Sequence, residues 1–79
     1  MTNLEKYDAA FRQALALDDE YDVTGLRYQA IPSWDSVGHM GLVACLEDSF
    51  GFVFDVDDMI DLDSYEKGIE LLKKYDIEI

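Results

Sequence analysis

Asp35 and Ser36 are the residues whose types and spacing best fit chemistry. They follow Pro32 and Ser33 and stand at the head of the apolar run Val37-Gly38-His39-Met40-Gly41-Leu42-Val43. Aspartate is a strong helix N-cap, so Ser36 falls at the first helical position. A hydroxyl at an exposed helix start is open to a modifying enzyme. An anionic group attached there would be favoured by the helix dipole. A serine in mid-helix would have neither advantage.

No catalytic set accompanies this serine. His39 is the one histidine and has no companion Cys or His to make a zinc site, so no metal centre and no enzyme activity is expected. It is expected at the surface near Ser36, although, about one helical turn beyond Trp34, it is also near enough to pack on that ring. Cys45 lies mid-helix between Ala44 and Leu46, without the basic neighbour that activates a thiolate. Asp55, Asp57, Asp61, Asp63 and Glu66 match positions 1, 3, 7, 9 and 12 of a calcium-binding loop. Met59 and Ile60 then occupy positions 5 and 6, where a ligand and the turn glycine belong, which leaves only weak divalent screening.

These residues need a scaffold, and 79 residues suffice for one domain, spanning 1–79. A formal charge of −12 repels nucleic acid and anionic membranes and speeds encounter with basic protein surfaces. The apolar content is too high for a disordered acidic tail. The start Met-Thr-Asn-Leu-Glu has no basic or apolar leader pattern, and no run is long enough to span a membrane. A monomeric cytoplasmic protein is expected.

Thr2 to Glu5 forms a capping box, and Leu4, Tyr7, Phe11, Ala14 and Leu15 make one stripe of a helix over about 3–17. Residues 18–35 form a long connection that Val23, Leu26, Tyr28 and Ile31 would pin to the core. The second helix begins at Ser36 and ends at Gly51, and its broad apolar girth makes it central. Gly38 and Gly41 cost roughly 1 kcal/mol each inside it unless close packing is wanted there. Phe52-Val53-Phe54 reads as an extended link. Val56 to Leu62 reads as a short helix with Val56, Met59, Ile60 and Leu62 inward. Asp63 to Glu66 reads as a second capping box before a last helix to about Tyr75. The fold class is all-α: three main helices plus a short one, with a long first loop.

Asp35-Ser36-Val37, the stretch Leu46-Glu47-Asp48-Ser49-Phe50-Gly51, the acidic Phe54-Asp55-Val56-Asp57-Asp58 and the closing Leu62-Asp63-Ser64-Tyr65 together resemble the acyl carrier proteins. The resemblance runs from Leu4 to Tyr75 and implies a four-helix carrier bundle. It implies a transferase that moves 4'-phosphopantetheine from coenzyme A onto Ser36, and acyl or aminoacyl cargo carried as a thioester. Partners would be that phosphopantetheinyl transferase, a loading enzyme and a downstream transferase or synthase with basic docking surfaces. In this reading Trp34, Asp35, Val37, His39, Met40, Glu47 and Asp48 meet partners, while Val43, Leu46, Met59, Leu62 and Gly68 line a slot for an acyl chain. The chain departs from the fatty-acid-synthesis members at Gly38 and Gly41, where acidic residues are usual. A specialised discrete carrier is therefore expected, with partner choice written in Trp34, Gly38, His39 and Gly41. The competing reading is an unmodified acidic adaptor or nucleic-acid-mimicking helical module.

Overall fold

Three local rules place the helices in the computed structural model, which describes residues 1–79. Side-chain caps start three of them, left-handed residues follow three helix ends, and apolar stripes turn them together. Helix α1 (Asn3–Ala14) begins with the reciprocal Thr2–Glu5 capping box. Helix α2 (Ser36–Phe50) begins at Asp35, whose carboxylate accepts from the Gly38 amide at 2.8 Å. Helix α3 (Val56–Asp61) is short, and its N-cap Asp55 makes no side-chain capping bond. Helix α4 (Tyr65–Lys73) is capped by Ser64, which accepts from the Lys67 amide. The chain has four helices and no strand; Arg27 and Ser64 form an isolated bridge. No helix is long and apolar enough to cross a membrane.

Two boundaries differ from the sequence reading. Helix α1 stops at Ala14, not near Leu17, because Ala16 turns left-handed at φ 56°. Leu17 then donates to the Arg12 carbonyl at 2.8 Å, closing the chain back over the last turn. Glycine usually takes that position, so the stop carries no sequence signal. The expected box at Asp63 and Glu66 is replaced by Ser64 with Lys67 three residues on. A lysine cannot reciprocate, so only half of the box forms. At the end of α2, Gly51 adopts φ 67°, a left-handed conformation that glycine takes without steric cost.

The core centres on Tyr7, Phe11, Trp34, Leu42, Leu46 and Leu72, all fully buried. Phe11 meets Trp34 and Tyr65 edge-on, each at 5.5 Å between ring centroids. Tyr7 donates a buried hydrogen bond to the Tyr65 carbonyl at 2.6 Å. Tyr65 donates to Asp8, also at 2.6 Å. Burial holds the Tyr7 phenol well above its ordinary range; burial and Asp8 do the same for Tyr65. Gly68 is fixed by this arrangement: a Cβ there would collide with the Tyr7 hydroxyl and press on Leu62.

The long first connection is tied at several points. Val23 and Leu26 are buried, as expected. Arg12 donates twice to the Tyr21 carbonyl, at 3.0 and 2.9 Å. The amides of Tyr28 and Tyr65 exchange bonds with Asp63 and Leu26 carbonyls, at 2.8 and 2.9 Å. The connection is thereby laid beside the start of α4, and its last residues are delivered to the start of α2.

Helix α3 turns less of itself inward than its sequence suggested. Leu62 is buried and Met59 half-buried, but Val56 is 69% exposed and Ile60 72% exposed. The inward anchor is instead Asp58, 3% exposed. It accepts from the Lys74 ammonium at 2.7 Å and from the Tyr75 hydroxyl at 2.6 Å. The Lys74 bond, with Tyr75 adding to it, holds the Asp58 carboxyl below the usual range. A buried charge is tolerated because it is paired and hydrogen-bonded.

Candidate functional site

Ser36 occupies the first position of α2 and is exposed. Asp35 caps this end twice over: its carboxylate takes the Gly38 amide, and its carbonyl takes the His39 amide at 2.8 Å. No acidic side chain lies in the first turn. The positive end of the helix dipole therefore points toward the Ser36 hydroxyl with only the cap carboxylate against it.

Gly38 lets the preceding loop close on this turn. A Cβ at 38 would run into the Ser33 carbonyl, so no other residue fits without moving the backbone. Close approach within the chain is therefore enough to account for a glycine at this position. Gly41 has only the Ala14 carbonyl in range, at 3.9 Å, so nothing in its packing demands glycine.

Trp34 was expected to meet partners and does not: it is completely buried. Its indole N–H donates to His39 Nδ1 at 3.1 Å, and the two rings stack with 13° between their planes. His39 packs on Trp34, as its spacing suggested. Its Nε2 lies 2.8 Å from the Met59 carbonyl. An indole only donates and a carbonyl only accepts, so His39 is neutral in this arrangement, with its proton on Nε2. Both ring nitrogens are used inside the chain. This makes His39 a tie between Trp34 and α3, not a hydrogen-bonding contact for a partner.

Val37 and Met40 are 81% and 57% exposed, consistent with surfaces that another protein could touch. Asp48 is exposed as well. Glu47 differs: its carboxylate accepts the Phe54 amide at 2.9 Å and so fixes the link between α2 and α3. Cys45 is half-buried, and burial followed by the Asp48 charge pushes its thiol up, away from reactivity.

A cleft of about 330 Å³ opens between the first turns of α2 and helix α3. His39 and Met40 line one wall, and Val56, Met59, Ile60 and Leu62 the other. Of the slot expected from sequence, Met59 and Leu62 line it. Val43, Leu46 and Gly68 do not: the first two are core, and Gly68 packs against Tyr7. A larger open groove of about 980 Å³ lies elsewhere, among Asn3, Leu4, Ile69 and the C-terminal residues, and touches none of these groups.

Tyr28 belongs to this site and was not found from sequence, where it was read as a core pin. It lines the cleft, and its hydroxyl lies 3.4 Å from the Ser36 hydroxyl. It thus joins the serine to the cleft. Nothing local in the sequence signals this, because the contact depends on how the loop folds back. The acidic residues Asp55, Asp57, Asp61, Asp63 and Glu66 do not converge: no group of three or more acidic, His or Cys side chains is placed to hold a metal.

Compared with protein-family models, with curated proteins and with solved structures, the chain matches none.

Proposed function

We propose that this is a discrete carrier protein of the acyl-carrier type, modified on Ser36 with 4'-phosphopantetheine. The observation that carries the reading is the exposed Ser36 hydroxyl at the first position of α2, beside an apolar cleft. The donor chemistry fits a serine-linked phosphodiester: a helix start, a neutral tyrosine hydroxyl, and no acidic residue in the first turn. The four helices with a long first connection agree with a carrier bundle.

In the loading step the Ser36 oxygen attacks the phosphorus of coenzyme A that bears pantetheine. A serine O–P bond forms, the pyrophosphate P–O bond breaks, and adenosine 3',5'-bisphosphate leaves. The hydroxyl proton passes to the transferase, since no base of this chain touches Ser36. Once bound, the arm supplies a terminal thiol that holds acyl or aminoacyl cargo as a thioester. The chain's own part is to expose the serine, to orient it through Asp35 and the capped turn, and to offer docking surface. Asp35, Val37, Met40 and Asp48 are the exposed members of that surface. Their partners would be the transferase, a loading enzyme and a downstream acyl-transferring enzyme, each with a basic docking face. The charge of −12 supports fast encounter with such faces, and the proposed place of work is the cytoplasm, where coenzyme A and such enzymes would meet it.

The test is incubation with coenzyme A and a broad-specificity phosphopantetheinyl transferase, followed by intact-mass measurement. The expected result is a gain of one phosphopantetheine, absent in Ser36→Ala. No gain in the wild-type protein, or a gain that survives Ser36→Ala, overturns the reading.

A further inference from the structure

We infer that Tyr28 is a positioning residue for the modified serine: its hydroxyl donates to the phosphodiester and fixes the first bonds of the arm. The inference rests on the carrier reading and adds a residue to it. Tyr28 makes the only side-chain hydrogen bond to Ser36, at 3.4 Å. That is long for two hydroxyls, which usually meet near 2.7–2.8 Å. The spare length suits an acceptor oxygen lying beyond the serine oxygen. A bond to an anionic phosphodiester would also be stronger than one between neutral hydroxyls.

The ring is held where this demands. Its own amide is bound to the Asp63 carbonyl at 2.8 Å, and the next amide, of Gln29, to the Trp34 carbonyl at 3.0 Å. Gln29 takes a left-handed conformation, φ 67°, which a non-glycine residue adopts only when its surroundings impose it. The Tyr28 ring stands edge-on to His39 at 5.5 Å and to Trp34 at 6.3 Å. Both of those rings are locked to each other and, through His39, to α3. The hydroxyl is therefore preorganised at the serine, and little freedom remains to be lost when it bonds.

Other groups nearby are unsuited. Asp35 is anionic and already accepts from Gly38. Both nitrogens of His39 are engaged. The six cations lie elsewhere: Arg12 is on Tyr21, Lys67 on Glu70, Lys74 on Asp58 and Lys6 over Phe50, while Arg27 lines a separate hollow with Ser64 and Glu66, and Lys73 the groove by the C-terminal residues. A neutral donor is left to hold a negative phosphodiester in a strongly negative chain.

The experiment compares wild-type and Tyr28→Phe proteins, with ring-labelled tyrosine, before and after enzymatic transfer of phosphopantetheine from coenzyme A. Intact mass reports loading, ring-carbon NMR reports the tyrosines, and phosphorus NMR reports the arm. Loading of both proteins is expected. Of the five tyrosines, Tyr28 should show the largest change at its hydroxyl-bearing carbon. In Tyr28→Phe the phosphorus signal should shift and sharpen as the arm gains freedom, with helix content and Trp34 fluorescence unchanged. A loaded wild-type protein whose Tyr28 signal is unmoved, or a phosphorus signal identical in the two proteins, overturns the inference and leaves the carrier reading standing. A wild-type protein that takes no phosphopantetheine overturns both.

Discussion

Between α1 and α4, rings do the joining: Tyr7, Phe11 and Tyr65 pack edge-on, and Tyr7 donates into the backbone of Tyr65. Around α3, polar ties do it: His39 of α2 to the Met59 carbonyl, Glu47 of α2 to the Phe54 amide in the link before α3, and Asp58 of α3 to Lys74 and Tyr75 at the end of α4. The first seam buries its apolar groups. The second leaves Met40, Val56 and Ile60 facing water around a cleft. Apolar side chains left exposed forfeit the burial that would stabilise them, at about 25 cal/mol per Å². Helix α3 should accordingly be the weaker element, opening at lower free energy than the aromatic seam. On the proposed carrier reading, the face offered to partner enzymes would also be the one that yields most readily.

The comparison gives its largest effect at Phe11. Phe11→Ala removes a fully buried ring from the first seam and should cost about 3–5 kcal/mol, read as a lower urea midpoint. In a chain this small, loss of cooperative unfolding is the extreme form of the same result. A smaller effect is expected at the second seam. His39→Leu strands the Trp34 N–H and the Met59 carbonyl and should cost about 1–3 kcal/mol. His39→Gln keeps one acceptor and one donor at similar spacing and should recover part of that loss. The single tryptophan reports both variants by fluorescence. If His39→Leu costs as much as Phe11→Ala, the contrast between the seams fails.

The two seams should also respond at opposite ends of the pH scale. Asp58 has a folded pKa below its unfolded value. Its contribution is present above pH ~4 and is lost as pH falls through the folded value. Tyr7 and Tyr65 have folded pKa values above theirs. Their contribution is present below pH ~10 and declines as pH rises beyond it. Urea midpoints across pH check this: Asp58→Asn should flatten the acid limb and leave the alkaline limb in place. The smallest effect is expected at Ile60→Ser, within about 0.5 kcal/mol by urea unfolding, because the side chain is already in water.

What was legible in the sequence follows the range of the forces involved. The Thr2–Glu5 box, the Asp35 cap and the Gly51 stop each depend on residues a few positions apart, and all three are in place. The stop at Ala16 was hidden because alanine replaces the usual glycine. Trp34 and Tyr28 were misjudged for a common reason. Both lie in or beside the long connection, where periodicity says nothing about burial, and only its folding back decides which ring is enclosed and which reaches Ser36. Val56 and Ile60 were assigned inward because apolar residues usually are. Their exposure is where the candidate site departs from the packing rule. Ser36 itself was placed correctly because its position needs only the cap before it.

The most direct measurement is peptide-level mass spectrometry of the protein purified from its natural source, without added transferase. The account predicts a peptide whose Ser36 carries phosphopantetheine, with any thioester-bound group naming the cargo. A native protein whose Ser36 peptide is wholly unmodified, while function persists in Ser36→Ala, would contradict it and favour an acidic adaptor.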